Sequence, residues 1–308
     1  MTTRLILEIC NVRHVYATGS NGLAGCSLNI RQGSRNALLG ANGSGKTTLL
    51  QQLNGLLRPT SGAILIDGAP LDYSRNGLAA LRRRVGLVFQ NPDRQLFSAS
   101  VCEDVSFGPL NLGLDEAEVR ERVAQSLAAV GMTAMAERPV HHLSFGQKKR
   151  VCIAGVLAMR PEVLLLDEPM AGLDGAAQTE LLAVLDDLSG RGITIVLSTH
   201  DVDFAYRWAD DIHVLAAGRC IASFDAGRLP EQEVALQAAG QSLPAVVELC
   251  RVLVARGMLP PTAAAPRSLA QLAASLADMP SRHFVETLPL GAAAHSCCDG
   301  RRGWTRRH

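Results

Sequence analysis

The chain has 308 residues, enough for a sizeable core, one large α/β domain and an appendage. Its 30 Lys+Arg against 29 Asp+Glu leave no strongly basic footprint for nucleic acid. No apolar run reaches the roughly 18 residues that a membrane-spanning helix needs. The opening MTTRLILEICNVRH has only a brief apolar run before polar residues and does not read as a signal peptide. The 8 cysteines are scattered apart from Cys297 and Cys298. Cys26, Cys152 and Cys220 lie in apolar runs, the pattern of reduced, buried thiols in a cytosolic protein.

In chain order, RNALLG (Arg35 to Gly40) reads as a short buried strand, followed by a glycine-rich turn and the helix KTTLLQQLNGL. AILID near Ile66, VGLVF ending at Phe89, VLLLD ending at Asp167 and ITIVLS ending at Ser198 read as further strands. Helical patterns such as DEAEVRERVAQSLAAVG and AAQTELLAVLDDL separate them. Strands alternating with helices predict an α/β fold with a mostly parallel sheet covered on both faces. From about Asn91 to Met159 the pattern is helix after helix, as in a helical insertion. After about Leu229 come Ala- and Leu-rich helices broken by LPP and AAAP, and from about Leu290 the sequence has no period, as in an unstructured tail. There is no internal repeat.

GANGSGKT (Gly40, Ala41, Asn42, Gly43, Ser44, Gly45, Lys46, Thr47) fits the phosphate-binding pattern G-x-x-x-x-G-K-[ST] between a strand and a helix. Gly43 and Gly45 let backbone N–H groups close on phosphate oxygens, and the helix N-terminus adds its partial positive charge. Lys46 is placed to reach the outer phosphates, with Thr48 beside it in the helix and Thr47 positioned to hold Mg²⁺. VLLLDEP then ends an apolar strand on Asp167, suited to the Mg²⁺ shell, and on Glu168, suited to polarising an attacking water. Alternation along a strand points the two carboxylates differently. These parts alone describe a P-loop ATPase or kinase.

LSFGQKKRV (Leu143 to Val151) opens like a second anion-receiving helix start. With Gly40 to Thr48, Gln90, Asp167, Glu168 and His200, it makes the chain resemble the nucleotide-binding subunit of an ABC transporter. LSFGQ is similar to that family's LSGGQ signature, with Phe145 in the third place, where metal-import members carry bulky residues. The resemblance implies a P-loop NTPase (RecA-like) core, an N-terminal antiparallel β subdomain and a helical signature subdomain, with a cassette over residues 1–228. It implies head-to-tail packing of two cassettes, ATP lying between the phosphate loop of one and Ser144, Gly146 and Gln147 of the other. It places Tyr16 against adenine and Gln90 on Mg²⁺ or water. AGLD, with Asp174, falls at the dimer-crossing loop, and His200 on the γ-phosphate. Lys148 and Lys149 read as a solvated basic face.

VFQNPDRQLFSASVCEDVSFGPLNLGL resembles the corresponding segment of energy-coupling-factor importers, above all the cobalt and nickel members. The resemblance implies a peripheral ATPase on the cytoplasmic face of the membrane. It also implies a transmembrane scaffold subunit docked near Gln95, Leu96 and Phe97, a separate substrate-capture membrane subunit, and a homodimer of cassettes. Cobalt is the first substrate expected, with nickel or a vitamin such as biotin as alternatives. A soluble ABC protein of DNA repair or translation fits poorly with the lack of a repeat and the near-neutral charge, and a P-loop kinase explains neither LSFGQ nor His200. Residues 229–289 are expected as a helical extension serving dimerisation or regulation. In the tail, His295, Cys297, Cys298 and His308 lack structural zinc spacing. Arg301, Arg302, Arg306 and Arg307 read as a solvated cluster that could meet anionic lipid.

Overall fold

The computed structural model of the protein describes residues 4–260 and 265–277. The expected tail from Leu290, with its histidines, cysteines and arginines, lies outside them, as does the end of the 229–289 segment.

Among the described residues ten strands form two sheets. The four-stranded sheet contains β1 (Leu5–Val15), β2 (Asn21–Arg31), β4 (Ser61–Ile66) and β5 (Ala69–Pro70), in the order β2-β1-β4-β5 with antiparallel pairing. The six-stranded sheet contains β3 (Arg35–Leu39), β6 (Val85–Val88), β7 (Val163–Leu166), β8 (Thr194–Thr199), β9 (Asp211–Ala216) and β10 (Arg219–Asp225). Its order is β10-β9-β3-β8-β7-β6, and all pairs are parallel except the edge pair of β9 and β10.

The strands of the parallel sheet read as continuous apolar runs because both faces are covered. Their residues divide between two cores with period 2. Leu38, Val85, Val163, Leu165 and Val196 pack toward the antiparallel sheet, α1 (Lys46–Leu53) and α2 (Arg75–Arg84). Leu39, Leu164, Leu166, Ile195 and Leu197 pack toward the helices on the other side. That second face carries α3 (Val101–Asn111), α4 (Glu116–Ala129), α5 (Phe145–Leu157), α6 (Gly175–Gly190) and α7 (Val202–Trp208). The run expected as helix after helix between Asn91 and Met159 supplies α3, α4 and α5. Beyond β10, α8 (Glu233–Ala238), α9 (Ala245–Ala255) and α10 (Leu269–Ala277) send Leu236, Val247, Cys250 and Leu272 into the same core.

Helix starts carry local instructions. Ser144 caps α5 by accepting from the Gln147 N–H at 3.3 Å, while the Gln147 side-chain oxygen accepts from the Ser144 N–H at 2.9 Å. This reciprocal capping box satisfies two donors that a helix start leaves free. Asp174 caps α6 by accepting from the Ala177 N–H at 2.8 Å.

Candidate nucleotide site

The C-terminal ends of β3, β6, β7 and β8 converge, the place where open α/β sheets bind ligands. Gly40 to Gly45 link β3 to α1, and a Cβ on Gly40 would come within 2.3 Å of the Leu215 carbonyl oxygen, so only glycine fits there. Gly43 and Gly45 take positive φ, 79° and 105°. The Ser44 hydroxyl is buried without a hydrogen-bond partner among the described residues. An unmade bond of that kind costs about 1–3 kcal/mol and is explained where a ligand completes it.

Lys46 is 6% exposed and donates to the carbonyls of Gly40 at 2.7 Å and Ala41 at 3.2 Å. Its ammonium stands 3.5 Å from Glu168 Oε1. Thr47 donates its hydroxyl to Asp167 Oδ2 at 2.8 Å, and Ser198 donates to Asp167 Oδ1 at 2.7 Å. The Ser198 hydroxyl in turn accepts from the Glu168 N–H at 2.8 Å. Glu168 Oε2 lies 3.1 Å from His200 Nδ1. The two acids part, Asp167 to the threonine and Glu168 to the lysine and histidine, but not by strand alternation, since both lie beyond the end of β7 at Leu166. Glu168 also adopts φ 45°, in the left-handed region that non-glycine residues rarely enter.

A cleft of about 250 Å³ is lined by Tyr16, Asn42, Gly43, Lys46, Gln90 and Glu168 among others. The Tyr16 hydroxyl is 2.7 Å from Thr48 Oγ1, and its ring covers Gly22. The cleft can receive an anion: it offers a cation, backbone donors and a helix start on one side and an aromatic wall on the other. The Thr47 hydroxyl, Asp167 carboxylate and Gln90 amide are hard oxygen donors suited to a small divalent cation. No group of three or more His, Cys, Asp or Glu residues could hold a metal by itself among the described residues. Such an ion would complete its shell from phosphate oxygens and water.

Ser144, Gly146 and Gln147 do not line this cleft. Gly146 faces α6, where an added Cβ would meet that of Ala177 at 3.1 Å. Phe145, 38% exposed, does not stand over its own helix start: its ring lies against Gly172. Gln95, expected at a partner surface, instead turns inward and accepts from the Phe89 N–H at 3.1 Å, and Leu96 packs on the core. Phe97 remains 65% exposed, with its ring edge-on to the half-exposed Phe107 at 4.8 Å.

One reading of the sequence is corrected. Lys149 is no part of a solvated face: it is 2% exposed and donates to the carbonyls of Glu168 at 3.1 Å, Pro169 at 2.7 Å and Ala171 at 2.9 Å. Burial draws its ammonium down to about 8 despite the nearby Glu168 charge. Lys148 is also engaged, 2.7 Å from an Asp93 carboxylate oxygen. Sequence reasoning also missed Ser198, which joins Asp167 to the Glu168 backbone; a serine near the end of an apolar strand carries no signal of that role.

Residues 23–171 match the family model described as ABC transporter. The energy-coupling factor transporter ATP-binding protein EcfA of Methanocaldococcus jannaschii is 44% identical over 255 residues, 83% of this chain and 91% of that protein. The chain belongs to the ATP-binding subunits of ABC transporters. It is an ATPase of the energy-coupling-factor type. The solved structure of cbiO1 from Clostridium perfringens, part of the ABC transporter complex cbiONQ, superposes with a TM-score of 0.70 at 44% identity, covering 80% of this chain and 99% of that one. A dimeric cassette, MJ0796, in a post-hydrolysis state with ADP and Pi, superposes at 0.64 with 29% identity over 72% of this chain and 99% of that one. No helix of this ABC ATPase is long and apolar enough to cross a membrane among the described residues.

Proposed function

We propose that this ATPase powers import of a transition-metal ion, cobalt first, by closing and reopening a head-to-tail homodimer beneath a membrane-embedded scaffold subunit and its substrate-capture partner. The observation that carries this reading is the division of phosphate-suited groups into two sets. Asn42, Gly43, Gly45 to Thr48, Gln90 and Glu168 line one cleft, whereas Ser144, Gly146 and Gln147 head a helix outside it. A second copy can bring its Ser144 set to the first copy's cleft, and the dimeric relative supports such pairing.

Within each cleft Tyr16 stacks on the adenine. Lys46 and the N–H groups of the Gly40–Thr47 loop bind the phosphates, and the partner's Ser144 hydroxyl and Gly146 N–H meet the γ-phosphate. Mg²⁺, when bound to Thr47, Asp167 and Gln90, neutralises phosphate charge. Glu168 accepts a proton from the attacking water, and His200 orients the carboxylate and the γ-phosphate. Asp174 crosses to the partner. Cleavage of the β–γ bridge removes the shared γ-phosphate, so the dimer loses its central contact and reopens. Phe97 and Phe107 offer the scaffold an exposed aromatic pair, a larger part of that contact than Gln95 or Leu96.

This reading divides the chain into a cassette over residues 1–228, its helical subdomain at about 91–159, and an extension over 229–289 before the tail. It places the protein on the cytoplasmic face of the membrane. The cobalt assignment rests on the resemblance of the segment Val88 to Leu114 to cobalt and nickel importers, and likeness to cbiO1, part of the complex cbiONQ, supports a place in a multi-subunit transporter. The test is uptake of radiolabelled cobalt and nickel by cells that carry the chain with its neighbouring membrane subunits. Cobalt entry that Glu168→Gln abolishes is the expected result. Hydrolysis without entry of either metal would overturn the metal and leave a vitamin as the alternative.

A further inference from the structure

Lys149 is an unusual residue to find almost wholly buried. Lysine enters a protein interior only when its charge is well partnered, and no carboxylate forms an ion pair with this one among the described residues. Its partners are the carbonyls of Glu168, Pro169 and Ala171, one acceptor for each of its three N–H donors. The carbonyls of Pro169 and Ala171 receive no other donor among the described residues. The Phe145 ring, one helical turn back on α5, lies 5.3 Å from this ammonium and against Gly172. Lys149 and Phe145 thus grip the segment from Glu168 to Gly172 from one helix face.

That segment carries a strained residue. Glu168 has φ 45°, a conformation that costs on the order of 1–3 kcal/mol and persists only where the surroundings fix it. Its N–H is fixed by Ser198 and its carbonyl by Lys149. With both ends of the residue held, the carboxylate is aimed between Lys46 and His200. We infer that Lys149 is a positioning residue for hydrolysis: with Phe145 it clamps the Glu168–Gly172 loop, sets the aim of Glu168, and mechanically joins that loop to the helix headed by Ser144. Because Ser144 serves the partner's nucleotide in the function proposed above, on which this inference rests, the clamp ties one site's phosphate contact to the other site's base. Phe145, the departure from the LSGGQ pattern, then has a structural role, since its ring shields the clamp.

The test is steady-state ATP hydrolysis and equilibrium ATP binding by the full-length chain carrying Lys149→Met, with Lys149→Gln as a second, more polar variant. An ångström-scale misplacement of a reacting group can cost on the order of 10²-fold in rate. The expected result is a fall in kcat of about that size, with KM and ATP affinity within about twofold of the parent. Unchanged kcat, or equal losses in affinity and kcat, would overturn the proposal. So would a chain that folds with neither variant, since that marks a purely structural lysine. Glu168→Gln alone separates the two readings. If it hydrolyses ATP like the parent, the site assignment itself falls; if it is inactive while Lys149→Met keeps the parent's kcat, only the clamp falls.

Discussion

Ser198 shows how much a single hydroxyl can organise. It donates to Asp167 and accepts from the Glu168 N–H, so one buried side chain sets the two neighbouring acids at different angles. Removing it leaves a buried N–H unpaired and takes a donor from a buried carboxylate, and each such loss costs about 1–3 kcal/mol. Ser198→Ala should therefore lower the unfolding free energy by a few kcal/mol, read from urea melts, and slow hydrolysis as well. Lys46 makes the complementary case. Its ammonium is held by two carbonyls and by Glu168, and no other cation lines the cleft among the described residues. Lys46→Met should lower ATP affinity at least tenfold by fluorescence titration. An unaltered affinity would remove Lys46 from the phosphate site.

At the scale of elements, β9 carries a hidden titration. His213 is 3% exposed and its ring nitrogens face Ser223 Oγ at 2.9 Å and Asn36 Oδ1 at 3.3 Å. Burial, with the Arg31 charge adding to it, pulls its pKa down to about 4 from 6.5. The folded state thus resists a proton that the unfolded chain accepts below its ordinary value. Stability on this account is full above about pH 6.5, falls as pH drops toward 4, and levels off below. The loss by pH 4 is on the order of 3 kcal/mol. The pH dependence of the urea midpoint between 7.5 and about 4.5 measures it, and His213→Gln should flatten that dependence. The elements themselves were mostly legible in the sequence. The strands at Arg35, Val163 and Thr194 announce themselves as apolar runs of β-branched and leucine residues, and α4 and α6 by period. The partners in β1, β2, β9 and β10 were not, because pairing across the sheet is long-range. The phosphate loop and the acid pair could be read because their chemistry demands fixed local spacing. Lys149 could not: whether a lysine after a glycine-rich helix start faces water or three carbonyls depends on a loop about twenty residues away that only the fold brings near.

For the whole molecule, the separation of Ser144 from the cleft makes a prediction about assembly. A chain with both sets of groups but no way to close them on one nucleotide should dimerise only when ATP is present and hydrolysis is blocked. The full-length Glu168→Gln protein, followed by sedimentation with and without ATP and Mg²⁺, should shift from monomer to dimer on adding both. Ser144→Arg tests the geometry rather than the chemistry. It places a bulky cation at the head of α5, outside the cleft that binds the chain's own nucleotide, so ATP affinity of the monomer should stay within about threefold, under 1 kcal/mol at 25 °C. Dimerisation in the Glu168→Gln background should be lost, since the added side chain intrudes where the partner's γ-phosphate and loop must fit. If that dimer forms undiminished, the two sets do not meet across an interface, and Ser144 is only the cap of its own helix, a role its bond to Gln147 already fills.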